Sequence, residues 1–334
     1  MPPTSTHRVL VVGAGSIGER HLRCFRQSGR CEVAFVEINY ALRVTISDRY
    51  NVRGHAELDT ALAENPTAAV VATPAQTHVP LATKLADRGI HLLIEKPLST
   101  SLDGIERLRS TIRERNVSAA VAYVYRCHPS LAAMRQAITD GRFGRPVELV
   151  AVCGQHFPTY RPAYRNIYYT DHATGGGAIQ DALTHVVNAG EWLVGPIDRL
   201  VADAAHQVLD GVAVEDTVHL LARQGNIMAS YSLNQHQAPN ETKITVVCER
   251  GTVRWEAHAH RWRWLAVPGD PWHDEPLPPL ERDTLFIAQA NTFLDAVEGH
   301  GPVPCSFDEG LQTLRVNLAA LSSVQNQSWQ DIIV

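Results

Sequence analysis

The chain has 334 residues, 45% apolar and 19% charged, with a formal net charge of −5. That length suggests two domains around a sizeable core, and the slight acidity gives no reason to expect nucleic acid or an anionic membrane as a partner. No apolar run reaches the ~18 residues of a membrane span, and the short polar start Met1–Arg8 does not read as a signal peptide.

The first third alternates short apolar runs with helical patterns. Arg8–Val12 reads as a strand, followed by a glycine loop and a helix over Ile17–Gln27. Glu32–Glu37, Ala68–Ala72, His91–Ile94 and Ser118–Tyr123 read as further strands, and Tyr40–Tyr50, Thr77–Arg88 and Leu102–Arg115 as helices. This rhythm implies βαβ units and a doubly wound parallel sheet over residues 1–123, with strands apolar throughout because helices cover both faces. Residues 124–334 read as a second α/β domain: a helix near Pro129–Thr139, a strand over Val147–Phe157 and one clear helix over Gly177–Val194. Five β-rich stretches between Leu200 and Glu256 then predict an open, mostly antiparallel sheet, and helices over Asp283–Glu298 and Asp308–Gln325 close the chain.

Gly13-Ala14-Gly15-Ser16-Ile17-Gly18 follows the first strand and opens a helix. The first glycine permits a tight turn, the second lets backbone approach a pyrophosphate, and the third lets helix pack on strand. Glu37 ends the second strand, nineteen residues beyond Gly18, where a carboxylate accepts hydrogen bonds from ribose hydroxyls and repels a 2′-phosphate. The pattern predicts NAD as cofactor, with NADP left possible by Arg43 in the next helix.

Glu95-Lys96-Pro97 sits at the carboxyl end of a buried strand, where ligands bind in such sheets. Only three of the thirty basic residues are lysines, and an ammonium, unlike a guanidinium, can hold or shuttle a proton. The alternative is a surface Glu95–Lys96 ion pair. Farther on, Gly175-Gly176-Gly177 precedes Asp181 and His185, four apart on one helix face. A carboxylate beside a histidine makes a general base; a surface or capping pair is the alternative. The glycine triplet is expected to leave room for a ligand.

Together these motifs resemble the glucose–fructose oxidoreductase / inositol dehydrogenase / rhizopine-catabolism (Gfo/Idh/MocA) family, in order along nearly the whole chain. Thr73-Pro74 with His78 looks like its third-strand cofactor loop, and Tyr125-Arg126-Cys127-His128-Pro129 like the segment opening its second domain. The resemblance implies a Rossmann domain, Lys96 and His185 as catalytic pair, and Asp181 orienting or binding substrate. The cofactor contacts would be Gly13, Gly15, Ser16, Ile17, Gly18, Glu37, Thr73, Pro74, His78, Glu95 and Lys96. Substrate contacts would come from Arg126, Asp181, His185 and a variable loop containing Tyr160, Arg161 and Tyr164. Asn188 stands where many inositol-type members carry an acid, a departure that argues against a cyclitol.

Aromatic faces pack on sugar C–H faces and arginine tips bind hydroxyls or carboxylates, so the Tyr160–Tyr169 loop is either a substrate loop or a surface stitch. His258 and His260, interleaved with Trp255, Trp262 and Trp264, read as a sheet face or subunit contact; no metal site is expected. The six cysteines contain no CxxC pair, which predicts reduced thiols in a cytoplasmic protein. The expected function is NAD-dependent oxidation of a secondary alcohol in a sugar, sugar derivative or polyol, by a homodimer or homotetramer. An NAD-retaining glycoside hydrolase and a non-catalytic NAD-binding sensor are the alternatives.

Overall fold

The computed structural model describes residues 7–333; most of the Met1–Arg8 stretch read above lies outside them. The chain forms two compact units, residues up to 124 together with 281–310, and residues 125–280 together with 311 onward.

In the first unit, β1 (His7–Val12), α1 (Ser16–Gln27), β2 (Cys31–Val36), α2 (Tyr40–Tyr50), β3 (Arg53–His55) and α3 (Leu58–Leu62) are followed by β4 (Ala68–Val71) and α4 (His78–Ala86). β5 (His91–Ile94), α5 (Ile105–Glu114) and β6 (Ala119–Val121) complete a parallel sheet of order β3-β2-β1-β4-β5-β6. Val9, Val11, Val70 and Leu93 are buried, as a sheet covered on both faces requires. The strand order reverses between β1 and β4, so the loops after these strands lie at the switch point where such sheets bind ligands.

The expected boundary needs one correction. Residues 281–310, assigned above to the second domain, belong to the first unit. The helix Thr284–Val297 buries Ala290, Phe293 and Leu294 in the core formed by Val9, Val11, Phe25 and Phe35. Phe293 meets Phe25 edge-on, with ring centroids 6.3 Å apart. Arg23 adds a bidentate pair to Asp283.

The second unit opens with α6 (Pro129–Thr139), β7 (Pro146–Gly154) and the short α7 (Phe157–Tyr160). After a run of 3-10 turns comes a π-helical turn, Ile179–Leu183, that runs into α8 (Thr184–Val194). Strands β8 (Arg199–Ala205), β9 (Thr217–Gln224), β10 (Ile227–Asn234), β11 (Glu241–Cys248), β12 (Gly251–Glu256), β13 (Arg261–Leu265) and β14 (His273–Pro276) follow. α9 is the Thr284–Val297 helix already described; α10 (Phe307–Asn326) and β15 (Gln330–Asp331) end the chain. The nine-stranded sheet has the order β14-β13-β12-β11-β7-β10-β9-β8-β15, antiparallel as expected except where β7 runs parallel to β10. Burial alternates along β9 and β11, giving one face packed on helices and one open face. Trp255 is not a sheet-face or contact residue: it is fully buried, directly opposite Trp262 across β12 and β13. His258 and His260 lie in the turn between those strands. All six cysteines are unpaired. Among the described residues, no helix is long and apolar enough to cross a membrane.

Candidate active site

In the first unit the β1–α1 turn is built as the glycine spacing predicts. Gly13 has φ +87°, open to few residues but glycine, and a side chain there would strike the Ala72 carbonyl at the end of β4. A Cβ on Gly18 would lie 1.9 Å from the Gly13 carbonyl oxygen, so only glycine lets α1 start this close to β1. Gly15 faces open space and Ser16 is exposed. The N-terminus of α1 therefore presents its N–H groups and positive dipole end beside backbone that a phosphate can approach. Glu37 accepts from Ala14 N–H at 3.0 Å and Asn39 N–H at 2.9 Å, which fixes its carboxylate at the rim of the turn. The Arg43 guanidinium donates to the Glu37 carbonyl at 2.5 Å. These residues fit a dinucleotide.

Three expected cofactor contacts are placed differently. Thr73 is half-buried and Pro74 exposed, but His78 is 1% exposed, its ring nitrogens 2.8 Å from the Thr73 carbonyl and 3.0 Å from that of Pro97. Burial pushes its pKa down, and it ties the loop after β4 to the loop after β5 instead of facing a ligand. Glu95 is also buried, at 5% exposure, and pairs with His21 of α1 at 2.6 Å. The surface Glu95–Lys96 pair is thereby excluded, because the carboxylate lies beneath the strand end, where its other oxygen accepts from Lys96 N–H at 3.0 Å. Lys96 itself is half-buried, at a cis bond to Pro97.

In the second unit Asp181 belongs to the π turn and is 5% exposed, while half-buried His185 opens α8. A π turn within a helix widens it by one residue and recurs at functional sites. Tyr125 lies against His185 with ring centroids 5.4 Å apart, and Trp255 backs Tyr125 edge-on at 5.3 Å. Trp255 in turn donates from Nε1 to Ser130 Oγ at 2.9 Å. Burial pushes the Tyr125 hydroxyl up to about 12, so it stays protonated beside the imidazole.

The glycine triplet does not leave room for a ligand. A Cβ on Gly176 would meet the Tyr169 and Asp171 carbonyl oxygens, and one on Gly177 the Glu215 carboxylate. The chain's own loop fills that space. Of the expected substrate residues, Tyr160 and Arg161 are exposed, but Tyr164 is buried with Phe157, Tyr169, Leu209 and Val214, its hydroxyl donating to the Asp210 carbonyl. Tyr164 is thus a core residue of the loop. Arg126 is buried, donating from Nε to Asn188 Oδ1 at 2.9 Å, and Asn188 donates to Thr313. Three residues near Asp181 or His185 went unassigned by motif: Tyr125, Tyr168 and Glu215. None is marked by periodicity; only the tyrosine richness of the loop hinted at Tyr168. Asp295, Glu298 and His300 are the described residues whose ligand atoms come close enough for an ion, but Arg30 already pairs with both carboxylates.

Comparisons with known proteins match this architecture. Residues 7–123 match the family model described as an oxidoreductase family with an NAD-binding Rossmann fold, and residues 131–254 match the Gfo/Idh/MocA C-terminal domain. The UDP-N-acetylglucosamine 3-dehydrogenase of Acidithiobacillus ferrooxidans is 26% identical over 332 residues, covering 94% of this chain and 95% of that one. The inositol 2-dehydrogenase of Rhizobium meliloti is 24% identical over 331 residues, covering 96% and 97%. A levoglucosan dehydrogenase structure, solved with NADH and levoglucosan, superposes with a TM-score of 0.89 over 98% of this chain and 100% of that one, at 18% identity. With both family domains matched in sequence and in order on a reversing parallel sheet and an open mixed sheet, the chain belongs to the Gfo/Idh/MocA family of oxidoreductases.

Proposed function

We propose that this oxidoreductase is an NAD-dependent dehydrogenase of a secondary alcohol in a sugar, sugar derivative or polyol. The observation that carries this reading is a glycine turn open at Gly15 on the same sheet as Lys96, two strands away at a carboxyl end. Named dehydrogenases of sugars and polyols among its relatives support the substrate class. Gly13–Gly18 with the start of α1 would hold the pyrophosphate, and Glu37 the adenosine ribose. The nicotinamide would supply the hydride acceptor. Lys96 would donate a hydrogen bond to the substrate oxygen, His185 would take the hydroxyl proton, and Asp181 would hold the imidazole or a neighbouring hydroxyl. Tyr160 and Arg161, both exposed, are the loop residues suited to meet a sugar.

A panel of neutral sugars, uronates, polyols and nucleotide sugars, followed by NADH absorbance, tests this. Turnover with at least one class is expected. Lys96→Ala should cut kcat at least about 100-fold, the scale of a lost acid–base group, while NAD affinity holds. Aglycone release without net NADH would replace the reading with a hydrolase; full activity in Lys96→Ala would remove the lysine's role. We also propose a cytoplasmic homodimer or homotetramer. Six unpaired cysteines support the first part, and the open sheet face carrying Leu221 and Met228 supports the second.

A further inference from the structure

The tyrosine-rich loop of the second unit reaches the π turn at a residue outside the expected site. Tyr168, 39% exposed, donates its hydroxyl to Asp181 Oδ1 at 2.7 Å, although water lies within reach of its ring. The loop is held in place for this contact. Thr174 Oγ1 donates to the Tyr168 carbonyl at 2.7 Å, and Gln180 Nε2 donates to the His172 carbonyl at 3.0 Å. Buried Glu215 serves both partners: one oxygen meets His172 Nε2 at 2.5 Å, and the other accepts the N–H of Ile179, the first residue of the π turn, at 2.9 Å. One carboxylate thus references the loop that carries Tyr168 and the turn that carries Asp181 to each other.

We propose that Tyr168 is a positioning residue: its hydroxyl fixes the orientation of the Asp181 carboxylate and favours its ionised form, leaving the second oxygen to serve His185 or a substrate hydroxyl. The proposal rests on the role given to Asp181 above. A hydroxyl donating to a carboxylate is among the stronger hydrogen bonds, and it stabilises the charge it meets. The other ionisable groups around the turn make such a donor necessary. His185 follows on the same helix; Tyr169 and His172 face the turn from the loop, and Glu215 and Asp216 from the segment before β9. Burial first, then Asp181, Glu215 and Asp216, push the Tyr169 hydroxyl far up, so it stays protonated and shares a short hydrogen bond with Gln235. The two further carboxylates oppose ionisation of Asp181, and Tyr168 offsets them.

Tyr168→Phe keeps the ring and removes only the donor. In 13C-aspartate-labelled protein, with Asp181→Asn identifying the signal, the Asp181 carboxyl of Tyr168→Phe should titrate about one pH unit higher than in the wild type. The acid limb of kcat/KM should move up in parallel and kcat should fall several-fold, while the thermal midpoint and the NAD dissociation constant stay put. Tyr168→Trp, which keeps a ring N–H donor, should titrate differently from Tyr168→Phe. An unmoved Asp181 titration in Tyr168→Phe overturns the positioning role. A moved titration with unmoved rates leaves the hydrogen bond standing and instead overturns the part assigned to Asp181 in turnover.

Discussion

Burial alone would push the Glu95 carboxyl up; His21 at 2.6 Å and then the positive charge and backbone N–H of Lys96 outweigh it, and its pKa lies below the ordinary carboxylate value. A carboxyl depressed in the folded state stabilises the fold above its unfolded pKa, near 4, and loses that contribution as pH falls through the lower folded value. Glu95→Gln should therefore flatten the acid side of the stability curve below about pH 4, leaving His21 with a neutral partner. Urea midpoints measured from pH 2.5 to 7 check this; an unchanged curve would mean that Glu95 is not ionised. The same scale shows what sequence can reveal. Lys96, Asp181 and His185 were legible because proline and helical spacing tie their chemistry to neighbours a few residues away. The Tyr168–Asp181 and Glu215–Ile179 contacts span 13 and 36 residues, and no local pattern marks either.

At the scale of elements, the β1–α1 turn separates two uses of glycine that the spacing alone treats alike. Gly18 is needed by the fold, since its Cβ would strike the Gly13 carbonyl; Gly15 is not, since its side chain would meet nothing. Gly18→Ala should lower the thermal midpoint by several degrees, with overpacking costing about 1–3 kcal/mol. Gly15→Ala should leave that midpoint unchanged and weaken NAD binding at least about tenfold, because the methyl group occupies the ground a pyrophosphate needs. Calorimetry with and without NAD distinguishes them, and equal destabilisation by both variants would contradict the assignment. The strands were legible for a related reason: β1, β4 and β5 are unbroken apolar runs, and β9 and β11 alternate strictly. Helix interiors were harder. The π turn at Ile179–Leu183 leaves the apolar pattern intact while changing which carbonyls its N–H groups meet, so the sequence reads there as plain helix.

At the scale of the whole molecule, the open face of the nine-stranded sheet is the surface a second copy would cover. Leu221 and Met228, 55% and 56% exposed, sit diagonally on β9 and β10. Sedimentation velocity should show a species at least twice the 36.8 kDa chain mass, and Leu221→Glu with Met228→Lys should shift it towards the monomer. A monomeric wild type at micromolar concentration would refute the assembly. Domain order was legible because the two rhythms of the sequence differ, but the destination of 281–310 was not, since an amphipathic helix carries no label for the core it fills.

That returning segment imposes an order on biosynthesis. Phe293 and Leu294 complete a nucleus whose other members, Val9 and Phe25 among them, are made near the start of translation. At about 5–20 residues per second, the amino-terminal sheet spends many seconds on the ribosome with one flank uncovered before its closing helix emerges. A premature stop anywhere before residue 284 would therefore cripple the earliest-made part of the protein, not merely shorten the last.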